Sequence, residues 1–497
     1  MSDTATTDPL DILIVGAGIS GIGMGAQLAR RCPDKTFAIL ERREQLGGTW
    51  DLFRYPGVRS DSDMFTLGYA NEPWRDARAI ADGSSIRDYL AEVAEKHDLT
   101  KRMRFGRKVV KADWNSNAGL WTVTSEIGEG GSEQTRARWL YFGSGYYDYD
   151  DPHEADIPGI EAFAGEVIHP QHWPADFDYS GKRVVVIGSG ATAATIVPAM
   201  AEKAAHVTML QRTPTYYFTR PSTDGLANFL RKVLPEKTAY AISRFKQSRL
   251  HALGIARARS RPDKVADFLQ AQVKDQLGER YEAEHFTPPY NPWDQRVCLI
   301  PDGDLFSAIR EERASIVTDK IEAVDASGIA LKTGERLEAD VIVTATGLRL
   351  SMLGKATVSV DGETVEFPKH FYYRNCMISN VPNFAALFGY LNASWTQRVD
   401  LVTEWLCRLF NQMDHWEMDV AMPVLPADHG LEEDDPLWGF SSGYLQRGRH
   451  LIPKSATTQP WRLTMDMLED RRALKELPLD DGWLQFSRLA ADAGRAA

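Results

Sequence analysis

The stretch that decides the fold is Asp11-Ile12-Leu13-Ile14-Val15-Gly16-Ala17-Gly18-Ile19-Ser20-Gly21. Its apolar run, which ends at a glycine, predicts a buried strand. Gly16 permits a tight turn, Gly18 lets the backbone approach a pyrophosphate, and Gly21 lets the next helix pack closely on the strand. Ile19 and Ser20 belong to the same loop and are expected to contact the nucleotide. The helix that follows is predicted over 22–30, and its free N–H groups would face the phosphates. The stretch therefore predicts a dinucleotide site.

The residue that closes this first unit is an acid. A second apolar strand, Phe37-Ala38-Ile39-Leu40, ends at Glu41. A carboxylate here can accept hydrogen bonds from both ribose hydroxyls and would repel a 2′-phosphate. We therefore expect a nucleotide with a free ribose, as in FAD.

A second unit of the same design begins at Gly188-Ser189-Gly190-Ala191-Thr192-Ala193, after a strand predicted over 182–187. Its partner strand, 206–210, leads into Gln211 and Arg212, so no carboxylate repels a phosphate and a guanidinium can bind one. Thr213 adds a hydroxyl. This unit predicts NADPH rather than NADH, although Arg212 could also be an ordinary solvated arginine. Together the two units predict electron transfer from NADPH to a bound flavin.

Composition narrows the class of protein. A chain of 497 residues favours two or three domains, and its formal net charge of −12 argues against nucleic acid as a partner. The four cysteines have no metal-ligand spacing, so we expect reduced thiols, no metal and a cytoplasmic protein. The first residues lack a signal-peptide pattern, and no apolar run is long enough to span a bilayer. The oligomeric state is left open.

The predicted fold is α/β, with two Rossmann-like dinucleotide-binding domains. We expect 8–146 to form the first part of the FAD domain. The NADPH domain would cover 147–346, with a helical insertion at about 222–290. Residues 347–497 would complete the FAD domain and add a C-terminal segment.

Three further segments are expected to reach the cofactors. Val110 lies on a predicted strand of the FAD domain. Thr346 lies in the small-residue turn that ends an apolar strand over 339–347. Asn392 precedes a predicted helix whose N-terminus suits the electron-rich edge of a reduced flavin.

The helical insertion is rich in Lys and Arg between 244 and 264. A solvated helix face is the simpler interpretation. The more specific interpretation is that these helices dock peripherally on an acidic membrane surface.

Two nucleotide folds occur in disulfide reductases, amine oxidases and monooxygenases. A reductase needs a redox-active cysteine pair beside the flavin, but the segment after Glu41, which includes Gly48, Thr49 and Trp50, contains no cysteine. This weakens the reductase interpretation.

The segment between the two units carries a more specific pattern, formed by Phe163, Gly165, His169, Trp173 and Pro174. It resembles the FxGxxxHxxxWP fingerprint of type I Baeyer–Villiger monooxygenases, which are class B flavoprotein monooxygenases. The resemblance extends to other segments of the chain: 47–50, 54–61, 144–147, 209–216, 290–296, 345–347 and 460–463.

The resemblance implies that NADPH reduces FAD, that O₂ adds at flavin C4a, and that the peroxyflavin converts a ketone to an ester or lactone. Sulfide oxidation at the same site is also expected. Such an oxidant needs a fixed cation and a desolvated site. By resemblance, Arg296 is this cation and Asp61 is the carboxylate that holds it. The alternatives are a surface ion pair for Arg296 and a helix N-cap for Asp61.

Two other residues qualify the resemblance. Gln295 stands where many relatives carry Lys, which removes one contact to a 2′-phosphate. His169 is expected to hydrogen-bond the backbone rather than act as a general base. Two other functions stay open: a heteroatom (S, N or thioamide) monooxygenase, and a non-catalytic flavin protein or redox sensor.

Overall fold

The computed structural model describes residues 8–435, 437 and 439–489. Two sheets, each built around a glycine-rich turn, dominate the described part of the chain. The nine strands of the first sheet are Leu10–Val15, Phe37–Leu40, Met103–Arg104, Arg107–Asn115, Leu120–Ile127, Gly131–Phe142, Thr357–Val360, Glu363–Thr364 and Phe384–Ala386.

The first sheet has a parallel core. Leu10–Val15 lies between Phe37–Leu40 and Gly131–Phe142 and is parallel to both. Its residues 12 to 15 are buried on both faces, which explains why the strand appears in the sequence as a continuous apolar run. Arg107–Asn115 and Leu120–Ile127 extend the sheet as an antiparallel meander.

The second sheet is wholly parallel, and its strands come from the middle of the chain. In spatial order they are Ala314–Thr318, His206–Gln211, Arg183–Ile187, Val341–Thr344 and Glu166–Ile168. Each glycine turn is anchored in the same way: Gly16 N donates to Leu40 O (2.7 Å), and Gly188 N donates to Leu210 O (2.8 Å). The predicted domain bounds 8–146, 147–346 and 347–497 stay predictions.

Shorter strands complete the described chain. The antiparallel group Ile321–Asp325, Gly328–Leu331 and Arg336–Glu338 follows the second sheet. Strand pairs are formed by Tyr217–Arg220 with Cys298–Pro301, Tyr372–Tyr373 with Met377–Ile378, Val420–Pro423 with Leu484–Ser487, and Glu433–Asp434 with Ser455–Ala456.

The α-helices of the described residues are Ile19–Arg31, Thr49–Leu52, Met64–Leu67, Gly83–Lys96, Ala191–Met200, Gly225–Val233, Glu236–Ser260, Pro262–Leu277, Asp304–Arg310, Trp395–Trp416, Gly443–Gly448 and Met467–Lys475. The first helix begins one turn before the predicted 22–30, because Gly18 is extended and serves as its N-cap. Three consecutive helices occupy 225–277, inside the predicted insertion. Within the described residues, no helix combines the length and apolar character that a membrane span requires.

Candidate functional site

Two cavities adjoin the two glycine turns. The first is lined by the turn that follows Leu10–Val15, and the second by the turn that follows Arg183–Ile187. Tyr147 and Arg296 line both cavities. These two side chains therefore mark the boundary where a group held in one cavity would meet a group held in the other.

The first cavity gathers most of the residues predicted to bind FAD. Nine of them line it, together with Arg296: Gly16, Gly18, Ile19, Ser20, Glu41, Gly48, Thr49, Trp50 and Asp61. A Cβ atom added at Gly18 would lie 3.4 Å from the Cα of Gly48, so two side-chain-free backbones face each other here. Such a cradle suits close approach by a pyrophosphate.

Glu41 lies at the end of its strand and is buried, with 3% of its surface exposed. Its carboxylate accepts hydrogen bonds from Ala17 N (2.7 Å) and Arg43 N (2.9 Å). Burial raises the pKa of this carboxyl. Because a carboxylate has about four lone-pair sites, acceptor capacity is left for hydroxyl groups from the cavity.

Ser20 connects the glycine turn to the C-terminal part of the chain. The indole Nε1 of Trp395 donates to Ser20 Oγ at 2.7 Å, and Trp395 also lines the cavity. Trp395 is the first residue of its helix, so this helix N-terminus is fixed beside the first glycine turn.

Three predicted FAD residues do not line the cavity. A Cβ at Gly21 would lie 1.8 Å from Gly16 O, so this glycine serves the packing of turn against helix. Val109 lines the cavity in place of Val110, because the strand has a register shift between 109 and 111. Asn392 is buried and donates from Nδ2 to Met465 O (3.0 Å), and the nearby Trp395 lines the cavity instead.

The second cavity gathers all of the residues predicted to bind NADPH. They are Gly188, Ser189, Gly190, Ala191, Thr192, Arg212, Thr213 and Thr346. A Cβ at Gly188 (φ +138°) would collide with Ala345 O at 2.3 Å, whereas a Cβ at Gly190 would meet no protein atom within 4 Å. The first glycine is thus required by the fold, and the second leaves its backbone open to a ligand.

Arg212 is exposed and lines this second cavity. Lys320, which no sequence pattern indicated, also lines it, as does Gln295. Lys320 follows strand Ala314–Thr318, the neighbour of the strand that leads to Arg212. Since adjacent parallel strands bring their carboxyl ends to one edge, this lysine could have been predicted only once the strand order was known.

The Arg296 guanidinium is paired with Asp61. Nη1 of Arg296 donates to Oδ2 of Asp61 at 3.2 Å, and about a third of each side chain is exposed (34% and 37%). The alternative of an N-cap at Asp61 is wrong: Asp63 caps helix Met64–Leu67, accepting from Phe65 N and Thr66 N.

Three tyrosines surround this ion pair. Tyr146 stacks on Trp395 with ring centroids 5.1 Å apart, and its hydroxyl lies 2.9 Å from that of Tyr147. Tyr444 also stacks on Tyr146, with ring centroids 6.5 Å apart. Desolvation opposes the charged form of Arg296, but the Asp61 carboxylate favours it, and the pKa of Arg296 lies well above its ordinary range.

Burial raises the pKa of Tyr146, Tyr147 and Tyr444, so these phenols stay protonated. The arrangement therefore offers a permanent cation with hydroxyl donors around it. Tyr146 and Tyr147 belong to the segment 144–147 noted in the sequence, but nothing in the sequence indicated Tyr444.

The fingerprint residues lie outside both cavities. Phe163 packs beneath the second sheet, and a Cβ at Gly165 would collide with Asp340 O at 2.4 Å. The ring of His169 accepts from Gln171 N at Nδ1 (3.2 Å), and desolvation lowers its pKa. Trp173 packs edge-on against Phe177, and Pro174 is exposed. These contacts indicate a structural role.

Comparison with known proteins agrees with this geometry. Residues 10–422 match the flavin-binding monooxygenase-like family. The chain is 45% identical over 480 residues to the probable FAD-binding monooxygenase AlmA of Acinetobacter baylyi, covering 96% of each chain. It is also 45% identical over 490 residues to the FAD-containing monooxygenase EthA of Mycobacterium tuberculosis, covering 98% of this chain and 100% of EthA.

Solved structures share the fold. An oxidized steroid monooxygenase bound to NADP has a TM-score of 0.78 at 21% identity, covering 97% of this chain and all of that one. An ε-caprolactone-bound cyclohexanone monooxygenase has a TM-score of 0.75 at 19% identity, covering 96% and 100%. The predicted α/β fold is therefore confirmed, and so is the predicted resemblance at the level of the family. This chain belongs to the flavin-binding monooxygenase-like family and is a flavin-dependent monooxygenase.

Proposed function

We propose that this protein uses FAD, NADPH and O₂ to convert ketones to esters or lactones, and that it oxidises sulfides at the same site. The observation that carries the proposal is the Arg296–Asp61 pair at the boundary of the two cavities. A monooxygenase of this type needs a cation where hydride donor and flavin meet, and this pair supplies one there.

FAD would occupy the first cavity. Gly16, Gly18 and Gly48 would hold its pyrophosphate, with Glu41 on a ribose. Its ring system would face Tyr147 and Arg296, the side chains that line both cavities. When bound, the reduced flavin supplies the two electrons that activate O₂ for transfer of one oxygen atom.

NADPH would occupy the second cavity. The turn 188–193 would bind its pyrophosphate at the start of helix Ala191–Met200. Arg212 would hold the 2′-phosphate, with Lys320 as a second cation. The nicotinamide would then approach the boundary at Arg296.

The contribution of Arg296 is electrostatic. A guanidinium fixed beside a developing negative charge on oxygen stabilises that charge without having to reorganise, and single donors of this kind contribute about 10²–10³ in rate. Arg296 stays charged at every working pH, and Asp61 fixes its orientation at Nη1. The stacked rings of Tyr146 and Tyr444 would help to exclude water from the same space.

Product analysis tests the proposal. FAD-loaded enzyme with NADPH would be incubated with matched pairs, such as a methyl ketone and the thioether of the same chain length. We expect ester from the ketone and sulfoxide from the thioether, with one NADPH consumed for each product. Ester without sulfoxide would limit the site to ketones.

Two other outcomes favour the alternatives. Sulfoxide or N-oxide with no ester would make heteroatom oxidation the main activity. Hydrogen peroxide as the sole product across the panel would contradict the proposal, and a flavin that NADPH fails to bleach would point to a non-catalytic flavin protein.

A further inference from the structure

The helical segment 225–277 exposes an unusual number of large apolar side chains. Of the eleven that are exposed in the described part of the chain, eight lie in this segment. They are Leu226, Phe229, Val233, Ile242, Phe245, Leu250, Leu253 and Phe268. Large exposed apolar patches mark surfaces that bind a protein, a membrane or a ligand.

The exposed side chains follow helical spacing. Leu226, Phe229 and Val233 lie at i, i+3 and i+7 on helix Gly225–Val233. On helix Glu236–Ser260, Ile242, Phe245 and Leu253 share one face, at i, i+3 and i+11. Residues with these spacings lie on one side of a helix, so each helix presents an apolar stripe outward.

The opposite face of the long helix is already packed. Tyr240, Ser243 and Gln247 are buried, and the hydroxyl of Tyr240 donates to Tyr69 O at 3.1 Å. The outward stripe is therefore a second apolar face, which the packing of the helix within this chain does not use.

The same segment is strongly basic. Residues 225–277 contain eleven Lys or Arg and four Asp or Glu, in a chain whose formal net charge is −12. Some of these cations form ion pairs within the chain, such as Arg244 with Asp400 (2.6 Å) and Lys246 with Asp224 (2.5 Å). Others are exposed beside the stripe: Lys232, Lys237, Arg249, Arg257, Arg261 and Lys264.

We propose that the outer face of helices Gly225–Val233, Glu236–Ser260 and Pro262–Leu277 docks on the surface of an anionic lipid bilayer. Apolar side chains would enter the boundary between headgroups and acyl chains, and the cations would bind lipid phosphates. Arg249, whose guanidinium lies 5.3 Å from the ring centroid of Phe245, places a charge on the apolar stripe itself. A long arginine at that position can reach the headgroup level while its stem stays apolar.

The charge also argues against a second copy of this chain. A twofold interface applies the same patch to itself, which would bring two strongly basic segments together. Like charges across an interface cost free energy, whereas an anionic membrane complements them.

Docking would bring the lipid close to the reaction site. The inner face of helix Glu236–Ser260 contacts segments that flank the first cavity. Arg244 Nη1 donates to Phe65 O (2.9 Å), Gln397 Nε2 donates to Ser248 Oγ (2.7 Å), and His251 hydrogen-bonds Asn392 O. One helix therefore separates the proposed lipid surface from this part of the site. This consequence holds whichever substrate the enzyme oxidises.

Vesicle flotation tests the proposal with FAD-loaded, full-length protein. Vesicles of phosphatidylcholine alone are compared with vesicles containing about 30% phosphatidylglycerol, a composition chosen to supply anionic surface charge. We expect co-flotation with the anionic vesicles only, weakened when salt is raised to about 0.5 M.

Three variants show whether the apolar side chains or the cations contribute more to vesicle binding. Phe245→Glu/Leu253→Glu should reduce the partition coefficient at least about tenfold, because it removes two apolar side chains from the buried face. Lys232→Gln/Lys237→Gln/Lys264→Gln should reduce it less, and only for anionic vesicles. Leu468→Glu/Leu477→Glu, which changes exposed apolar residues elsewhere, is the matched control and should bind like the wild type.

Circular dichroism and the flavin spectrum would show that each variant is folded. Failure of the wild type to float, or flotation unaffected by Phe245→Glu/Leu253→Glu, would overturn the proposal. So would a dimer in sedimentation analysis that the same double variant converts to monomer, because a second copy would then cover the face.

Discussion

Arg296 Nη1 lies 3.2 Å from Asp61 Oδ2, and both side chains line the cavity of the first glycine turn. Arg296 also lines the second cavity. The two residues are 235 positions apart in sequence, so the pair exists only because the chain folds two nucleotide units against each other.

Replacing Arg296 by Ala should separate oxygen transfer from NADPH consumption. We expect product formation to fall by about 10²–10³, the usual effect of losing one preorganised donor at a developing oxyanion. NADPH would still be consumed, with hydrogen peroxide as the product. The ratio of product formed to NADPH oxidised measures this uncoupling. Arg296→Lys should restore only part of the lost product formation, because lysine lacks the planar guanidinium fork. Unchanged coupling in Arg296→Ala would exclude the proposed role.

Replacing Asp61 by Asn should have a smaller effect. The amide oxygen can still accept from Arg296, but the charge that favours and orients the guanidinium is lost. We expect about a tenfold fall in kcat for product, with thermal stability unchanged because Asp63, not Asp61, caps the neighbouring helix. A marked drop in Tm for Asp61→Asn would show that its role is structural.

The sequence predicted the two nucleotide units well because each depends on interactions between residues that are close together in the chain. Gly16 and Gly188 have positive φ and lie against backbone, and the buried strands before them appear as apolar runs. Residues brought in from distant segments were harder to predict. Tyr444 and Lys320 reach the second cavity through tertiary contacts and strand order, for which a single sequence contains no local signal.

Some details of the site depend on local backbone geometry that a sequence pattern does not show. Val110 was expected at the first cavity, but a register shift in its strand places Val109 there. Asp61 and Asp63 both precede a short helix, and only the backbone geometry shows which one is its cap. The fingerprint 163–174 predicted the family, although none of its residues that we singled out lines a cavity.

The two glycines of the second turn should respond differently to Ala. In Gly190→Ala the new methyl group meets no protein atom, so we expect an unchanged Tm and a KM for NADPH raised at least about tenfold by its contact with the pyrophosphate. In Gly188→Ala the methyl collides with Ala345 O at positive φ, so we expect a loss of about 1–3 kcal/mol in unfolding free energy. Equal effects of both variants on Tm and KM would contradict this division.

Arg212 should set the preference for NADPH over NADH. Hydrogen bonds to a charged group contribute about 1.5–3 kcal/mol, so Arg212→Ala should raise the KM for NADPH by roughly tenfold to a hundredfold. The KM for NADH should not change. Lys320→Ala should show the same pattern more weakly. Arg136→Ala, an exposed arginine on strand Gly131–Phe142, is the control. Parallel losses for both cofactors would mean that Arg212 does not bind the 2′-phosphate.

Asp400 should make stability depend on pH in the direction opposite to an ordinary ion pair. Its carboxylate accepts from Arg244 Nη2 (2.6 Å) and Ala70 N (3.0 Å), but desolvation outweighs these contacts and raises the pKa of Asp400 to about 6. The folded protein then binds more protons than the unfolded chain between about pH 4 and pH 6. The contribution of Asp400 to stability is therefore present below about pH 4 and is lost as pH rises to about 6.

The comparison with Asp400→Asn isolates this effect, because the amide does not titrate. We expect the unfolding free energy of the wild type, relative to that of the variant, to fall by about 2 kcal/mol between pH 4 and pH 6. Urea unfolding of both proteins at several pH values, followed by tryptophan fluorescence, measures the difference. A difference that rises with pH over this window would mean that attraction to Arg244 exceeds the cost of burying the charge.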